Sequence, residues 1–251
     1  MAGAMLTRWL ATGFDPARVT VIRPSGKPVA PGVRVLTGFP ADEAPPAMLM
    51  LGIKPQKLGE IAGLPIGAQT VLISVLAGVT TAGLRAAFPA AGAIVRVVPN
   101  MPVSLGKGVV ALHAEADAQS AESAAVAELM SPLGHVEWLA DEGLCDAMTA
   151  LAGCGPAFLF RFIDALGNAA ALLGIPPDQA ARLALATVSG AAALAEIGDA
   201  PPAVLADRVA SPGGSTRAGL NVLDAPDGIA SLLARTLAAS EKRNAELAKG
   251  G

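Results

Sequence analysis

Three short apolar runs constrain what the first half of this chain can fold into. Met48–Gly52, Thr70–Ser74 and Ala93–Val98 are built mainly of aliphatic residues, and stretches of helical character separate them. Continuous runs of this kind are typical of strands buried on both faces of a parallel sheet. Because strands that alternate with helices indicate βαβ units, the sequence predicts an α/β domain with a parallel sheet over residues 1–140.

Shorter segments complete this predicted domain. Each shows either a run of β-branched residues or the apolar spacing of a helix that packs on one side. We expect strands at 19–23, 33–36, 108–113 and 135–139, and helices at 2–12, 56–62, 80–88 and 118–130.

The second part of the chain, residues 141–251, has a helical pattern throughout. One long helix is predicted from Glu142 to Leu173, and a second begins at Pro177, since proline suits a first helical turn. A short helix at 203–209 and a last one at 227–249 follow. These helices are rich in Ala, Leu and Gly and leave more apolar surface than one small domain can cover, so we expect an intertwined dimer.

Composition excludes some partners. The net charge is −3, aromatic residues make up 3% of the chain, and tyrosine is absent, so no nucleic-acid surface is predicted. The uncharged run Ile61–Leu84 is long enough to be tested as a membrane span. Several glycines and Pro65 interrupt it, so a short strand between two turns explains it better, and no membrane partner is expected.

The few cysteines and histidines point to a reduced protein without a metal. Cys145 and Cys154 are nine residues apart in a predicted helix, which would separate them by about 13 Å, too far for a disulfide. We therefore expect a cytoplasmic protein. His113 and His135 lie in no cluster with metal-ligand spacing, so no metal site is predicted.

The stretch Ser211-Pro212-Gly213-Gly214-Ser215-Thr216 predicts a tight turn that leads into a helix. Ser215 or Thr216 can cap that helix. The N–H groups of Gly213, Gly214, Ser215 and Thr216 would then face the opening of the helix and form a site for a carboxylate or phosphate. The alternative is an ordinary capped helix after a turn, since such turns are common.

Five segments in order resemble the pyrroline-5-carboxylate reductase family. They are Ile53-Lys54-Pro55-Gln56, Leu76-Ala77-Gly78-Val79-Thr80, Val98-Pro99-Asn100-Met101-Pro102, Gly153-Cys154-Gly155-Pro156 and the Ser-Pro-Gly-Gly-Ser-Thr stretch. The resemblance covers nearly the whole chain. It implies an NADP-binding Rossmann-like domain without its first strand over residues 1–140, and an all-α dimerisation and substrate-binding domain over 141–251.

The resemblance implies reduction of 1-pyrroline-5-carboxylate to L-proline, the last step of proline biosynthesis, with NADPH, and NADH is the alternative cofactor. It implies that the loop N–H groups of Gly213 to Thr216 hold the substrate carboxylate, and that the Thr216 hydroxyl faces the imine nitrogen as the catalytic group. A homodimer, or a larger assembly of dimers, is the implied oligomer.

The cofactor is expected along the carboxyl ends of the strands, where open α/β sheets bind ligands. Arg23 and Ser25 follow the strand at 19–23, and a guanidinium and a hydroxyl suit a ribose 2′-phosphate. Ile53, Lys54 and Pro55 follow one apolar run, and Val75, Leu76 and Ala77 follow the next. Backbone contacts to the cofactor are expected from both segments, with the nicotinamide near Leu76 and Ala77. For Arg23 a solvated turn, and for Lys54 an ordinary surface residue, remain the alternatives.

The sequence opens on a helix. In a Rossmann domain an apolar strand and a Gly-x-Gly turn precede that helix. We expect the DNA upstream of Met1 to encode such a run in frame, either missed at the start codon or removed by truncation. A natural loss of the strand is the alternative.

Two other functions remain open. β-Hydroxyacid dehydrogenases also join a Rossmann domain to helices, and that chemistry uses a lysine a few residues after a Gly-x-Gly in the long helix. Here Gly153-Cys154-Gly155 is followed by Pro-Ala-Phe-Leu-Phe, without a lysine. The second alternative is a non-catalytic homologue whose cofactor domain has decayed.

Overall fold

The structure is a computed structural model, and it describes residues 1–40, 42–116 and 118–249. The chain divides into two compact units: Met1–Cys154 with Ser240–Gly251, and Gly155–Ala239. The boundary between the cofactor-binding and the dimerisation domain was expected after residue 140, a position that lies inside the first unit. As a division by function, that boundary stays a prediction. The last two residues of the expected second domain, 250 and 251, lie outside the described residues.

The first unit contains two sheets. The strands β1 (Thr20–Ile22) and β2 (Arg34–Leu36) form a two-stranded parallel sheet. The larger sheet has the order β3 (Met48–Leu51), β4 (Val71–Ser74), β5 (Ala93–Pro99), β6 (Gly108–Ala114) and β7 (Gly134–Trp138). All seven predicted strands are present within a residue or two of their expected bounds.

Helices cover both faces of the larger sheet. The first unit contains α1 (Ala2–Ala11), α2 (Leu58–Ile61), α3 (Thr81–Ala87), α4 (Ala121–Met130) and α5 (Leu144–Met148). Alternate residues of β5 join opposite cores: Val95 packs with Met5 of α1 and Met130 of α4, and Ile94 packs with Leu84 of α3. This two-faced burial explains the continuous apolar runs and confirms the predicted α/β class.

One strand direction differs from the expected parallel sheet. Strand β6 runs antiparallel to β5, while the other pairs of the larger sheet are parallel. The connection at 100–107 contains only a 3₁₀ turn, Met101–Leu105, and parallel neighbours need a crossover of a dozen or more residues. The predicted parallel sheet is therefore confirmed for β3, β4 and β5, and β6 joins it in the antiparallel direction.

The second unit is helical. It contains α6 (Gly155–Leu172), α7 (Pro177–Ile197), α8 (Pro202–Arg208), α9 (Ser215–Leu223) and the first part of α10 (Ile229–Lys249), whose remainder from Ser240 belongs to the first unit. Helices α6 and α7 pack against each other at small residues. A Cβ added at the buried Gly167 would lie 3.3 Å from the Cα of Ala181, so glycine permits this close approach.

The long helix expected from Glu142 to Leu173 is interrupted. After α5 the chain forms a π-helical turn, Thr149–Gly153, and α6 begins only at Gly155. Cys145 and Cys154 therefore do not share one regular helix. Both are free thiols, which confirms that they form no disulfide.

Large apolar side chains of the second unit lie at its surface. Phe160, Leu172 and Leu173 are 68%, 90% and 87% exposed, and others on α6 and α7 are also exposed. By length and composition alone, Leu144–Leu172 and Pro177–Ile197 are apolar enough to cross a membrane. Exposed apolar side chains grouped in this way mark a site of interaction with a protein or a membrane.

Candidate functional site

The two predicted cofactor segments at the ends of β3 and β4 lie side by side. These strands pair in parallel with Leu51 opposite Ser74, and the Val75 N–H donates to the Leu51 carbonyl oxygen at 3.3 Å. The segments Ile53–Pro55 and Val75–Ala77 therefore leave the sheet at one edge. We call the two segments together the rim.

Burial differs along the rim. Ile53 packs against the core that contains Leu84, and Leu76 is only 3% exposed, whereas Lys54 and Ala77 are exposed. Their backbones and the exposed side chains are what a ligand can reach. This arrangement agrees with backbone contacts as the expected mode of binding, and the assignment to a cofactor stays a prediction.

The connection from β4 to α3 is short and closely fixed. The Ser74 hydroxyl accepts the Leu76 N–H at 3.3 Å, and Gly78 has a positive φ of 74° that favours glycine. Thr80 is the N-cap of α3, and its hydroxyl accepts the Gly83 N–H at 3.1 Å. The 75–80 connection is therefore held at both ends.

Arg23 and Ser25 lie in the turn that follows β1. The Gly26 N–H donates to the Arg23 carbonyl oxygen at 3.0 Å, and Arg23 is half-buried while Ser25 is exposed. Strand β1 hydrogen-bonds only to β2 among the described residues, so no ladder joins this turn to the rim. The structure thus keeps these two residues together but does not link them to Ile53 or Val75.

The sequence analysis missed an ion pair beside the rim, between a buried arginine and a half-buried glutamate. Arg96 of β5 is 7% exposed, and its Nη1 donates to Glu142 Oε1 at 2.8 Å. Both oxygens of Glu142 also bind Thr81 at the start of α3: the backbone N–H donates to Oε1 at 2.6 Å, and the hydroxyl donates to Oε2 at 3.0 Å. We call Arg96, Glu142 and Thr81 the Glu142 network.

The Glu142 network holds its carboxylate in the charged form. Burial alone would raise the pKa of Glu142, but the hydrogen bonds from Arg96 and Thr81, together with the Arg96 charge, lower it below its ordinary value. Nearby, burial raises the pKa of the Cys145 thiol. Cys145 is therefore an unreactive buried thiol, as expected for a structural cysteine.

Asn100 links the end of β5 to the π-helical turn. It is 6% exposed, its Nδ2 donates to the Ala152 carbonyl oxygen at 3.0 Å, and its Oδ1 accepts the Val109 N–H at 2.9 Å. π-Helical turns are rare and occur mostly as single turns, and the Asn100 side chain contacts this one through Ala152. Its amide group is thus engaged within the protein.

In the second unit, the predicted anion loop forms a turn before α9. Gly213 has a φ of 70°, and the Gly214 N–H donates to the Ser211 carbonyl oxygen at 3.0 Å. Gly214 therefore does not offer its N–H to a ligand, contrary to expectation. The N–H groups of Gly213, Ser215 and Thr216 have no backbone acceptor among the described residues.

The helix cap also differs from the prediction. Gly214 is the N-cap of α9, with no side-chain cap, so Ser215 and Thr216 are its first two helical residues. Both are exposed, and within the described chain no hydrogen bond engages the Thr216 hydroxyl. The capping role considered for Ser215 and Thr216 was therefore wrong.

An ion pair closes the loop. Arg217 Nη2 donates to Asp207 Oδ1 of α8 at 2.6 Å, and the two side chains are 32% and 67% exposed. Arg217 lies in the first turn of α9, where the helix dipole favours an anion, and its own charge is paired with that of Asp207.

No metal centre emerges from the described residues, in which no group of three His, Cys, Asp or Glu could hold an ion. His113 contacts the Leu139 carbonyl oxygen, and His135 lies beside Glu137 at the surface of β7. His113 thus lies on β6 and His135 on β7, and neither belongs to a cluster of possible metal ligands among the described residues.

Comparisons with known proteins agree on one family. A family model described as pyrroline-5-carboxylate reductase dimerisation matches residues 142–247. The chain is 35% identical to a pyrroline-5-carboxylate reductase of Pseudomonas aeruginosa over 205 residues, 80% of this chain and 75% of that protein. It is 37% identical to that of Synechocystis over 204 residues, with the same two shares.

Solved structures show the same architecture. A pyrroline-5-carboxylate reductase of Coxiella burnetii superposes with a TM-score of 0.86 at 28% identity, covering 98% of this chain and 94% of that one. The Plasmodium falciparum pyrroline carboxylate reductase, solved with NADP bound, superposes with a TM-score of 0.78 over the same shares. At 22% identity, the second comparison supports the fold alone.

Proposed function

Because the chain belongs to the pyrroline-5-carboxylate reductase family, we propose that it reduces 1-pyrroline-5-carboxylate to L-proline with NADPH, the last step of proline biosynthesis. The observation that carries this proposal is the 35% identity to the Pseudomonas aeruginosa reductase, which extends over 80% of this chain. An oxidoreductase that acts on a C=N bond is the class of enzyme that follows.

NADPH fits the chemistry of the residues assigned to it. Arg23 is half-buried at the end of β1, and no hydrogen bond or ion pair engages its guanidinium within the described chain. A guanidinium without a partner suits a 2′-phosphate, which supports NADPH over NADH. We assign Arg23 and Ser25 to the 2′-phosphate, and Ile53, Lys54, Pro55, Val75, Leu76 and Ala77 to the rest of the cofactor.

We assign the substrate carboxylate to the loop before α9. The N–H groups of Gly213, Ser215 and Thr216, with the positive end of the helix dipole, provide donors for an anion. Gly214 contributes by shaping the turn, since its own N–H already donates to Ser211. The glycine at 213, with its φ of 70°, lets the backbone take this course.

When bound, the cofactor supplies hydride to the C=N carbon of the substrate. The protein's task is to hold the ring in place and to permit protonation of its nitrogen, because a protonated imine accepts hydride better than a neutral one. The Thr216 hydroxyl donates a hydrogen bond to that nitrogen as it gains amine character. These residues thus position the substrate and provide electrostatic stabilisation, and they form no covalent bond to it.

We further propose that the chain works as a homodimer, or an assembly of dimers, in the cytoplasm. The exposed apolar side chains of α6 and α7 and the match to a dimerisation family support the dimer. The two free thiols support a reducing compartment. Light scattering at micromolar concentration is expected to give at least a dimer, and a monomer would contradict this assignment.

Titration of the purified chain with NADPH tests the enzyme against the alternatives. We expect saturable NADPH binding and oxidation of NADPH only when pyrroline-5-carboxylate is added. Turnover of a β-hydroxyacid, with none of the imine, would favour the dehydrogenase alternative. Absence of NADPH binding in a well-folded dimer would favour the non-catalytic one.

A further inference from the structure

We infer that Glu142 is a positioning residue that sets the course of the 75–80 connection, and hence the shape of the rim on which the proposed function places NADPH. The inference rests on that proposed function for its purpose, but on the Glu142 network for its geometry. Nothing in the chemistry of hydride transfer requires Glu142 to touch a ligand.

Glu142 is far in sequence from the residues that it contacts. It lies two residues before the start of α5 and is 61 residues from Thr81 and 46 from Arg96. Its two oxygens accept three hydrogen bonds, from one strand and from the first residue of one helix. A carboxylate this fully occupied holds the elements that donate to it at fixed separation.

The contacts act on a short segment. Ser74 fixes the start of the 75–80 connection through the Leu76 N–H, and Glu142 fixes its end through Thr81. Only six residues lie between these points, and Gly78 is among them in a left-handed conformation. If Glu142 releases Thr81, the connection keeps its bonds to Leu51 and Ser74 at the β4 end and the Thr80 cap, but loses the contact that ties its α3 end to β5.

Arg96 restricts Glu142 to one position, because it is buried and needs the carboxylate as its partner. Its side chain is 8% exposed, and that of Glu142 is 25% exposed. A buried guanidinium that loses its carboxylate is left uncompensated, which is costly, so the native geometry is strongly preferred over alternatives. Arg96 thereby orients Glu142, and Glu142 orients Thr81.

Helix α3 offers a matched control at its other end. Arg85 donates to Glu115 through Nη2 at 2.5 Å, with side chains 32% and 28% exposed. This pair ties α3 to the residue that follows β6, the strand next to β5, but it lies away from the 75–80 connection. Loss of the Arg85–Glu115 pair removes a similar charge without touching Thr81.

The test compares Glu142→Gln, Thr81→Val and Glu115→Gln with the wild-type full chain. Hydrogen exchange, measured without ligand, reports on the amides of 75–83, and NADPH binding and steady-state kinetics follow on the same samples. In Glu142→Gln the side chain keeps one oxygen acceptor, but it loses the charge that pairs with Arg96 and the second acceptor that binds the Thr81 hydroxyl. For Glu142→Gln we therefore expect exchange in 75–83 to be faster by about tenfold, while amides of β4 and β6 keep their protection.

We expect the KM for NADPH of Glu142→Gln to rise by about tenfold or more, and its kcat at saturating NADPH to fall much less, because the rim is misplaced but the reacting groups remain. Thr81→Val, which removes only the hydroxyl bond, should give smaller effects of the same kind. Glu115→Gln should behave as wild type in 75–83 and in KM.

Exchange in 75–83 that stays unchanged in both Glu142→Gln and Thr81→Val would overturn the inference, as would an equal rise across the whole first unit. If Glu142→Gln does not fold, Thr81→Val decides alone. Failure of the wild-type chain to bind NADPH refutes the proposed function instead, and the exchange measurement still decides the role of Glu142.

Discussion

The Thr216 hydroxyl provides the sharpest test of the substrate site. In the structure, Thr216 is exposed at the second position of α9, and Gly214 is the N-cap. Thr216→Ala therefore removes no cap and no hydrogen bond of the described chain. If the hydroxyl donates to the imine nitrogen, the loss appears as the nitrogen gains amine character, and so mainly in kcat.

The two expected magnitudes separate clearly. A positioned proton donor contributes about 10²–10⁴-fold, and we expect a fall in kcat near or just below the lower end, since water substitutes in part. Stability should change by less than about 0.5 kcal/mol, as for a surface substitution, and alanine is the better helix former. For a chain of this size, such a change moves Tm by only about 1–2 °C.

The assay measures kcat, KM and Tm on one preparation of each variant. Thr216→Ser is the matched control, because it keeps the donor, and most activity should survive. Proline should inhibit Thr216→Ala as strongly as wild type, since the loop N–H groups are intact. Normal turnover in Thr216→Ala would refute the catalytic role, and a drop in Tm of several degrees would refute the assignment of Gly214 as the cap.

Three further predictions concern the first unit. The pKa of Glu142 is lower in the folded protein than its ordinary value of 4.5, so the charged carboxylate stabilises the fold fully above that value. This stabilisation is lost as the pH falls through the folded-state pKa of Glu142, and the Tm of the wild type should then approach that of Glu142→Gln. A difference in Tm between the two proteins that stays constant in acid would contradict this prediction. Asn100→Ala should cost about 1–3 kcal/mol for each of the two buried groups left unpaired, so an unchanged Tm would refute the role of Asn100. Arg23→Ala should weaken NADPH binding but not NADH binding, and equal loss for both cofactors would place the 2′-phosphate elsewhere.

The sequence predicted the elements whose signals are local. Helices bury β3, β4 and β5 on both faces, and strands buried on both faces consist of continuous apolar runs. Pro177 begins α7 as its fixed φ predicts. The residues of the rim could be placed at one edge, because parallel strands end at the same side of a sheet.

Features that depend on distant contacts were not predicted. The π-helical turn at Thr149–Gly153 has a composition that suits a regular helix, and its distortion accompanies the bond from Asn100 to Ala152. Glu142 and Arg96 are 46 residues apart, with no local pattern that pairs them. The cap of α9 was misassigned because Ser215 and Thr216 both favour caps, whereas the turn at Ser211 places Gly214 there.

The central claim is that this chain reduces an imine with NADPH. Purified full chain, mixed with NADPH, is monitored at the absorbance of the reduced nicotinamide while pyrroline-5-carboxylate is added, and the product is identified by chromatography. The account predicts that NADPH is consumed in equal amount to the L-proline formed, and that neither occurs with Thr216→Ala at a comparable rate. A folded, dimeric wild-type protein that binds NADPH but forms no proline would contradict it.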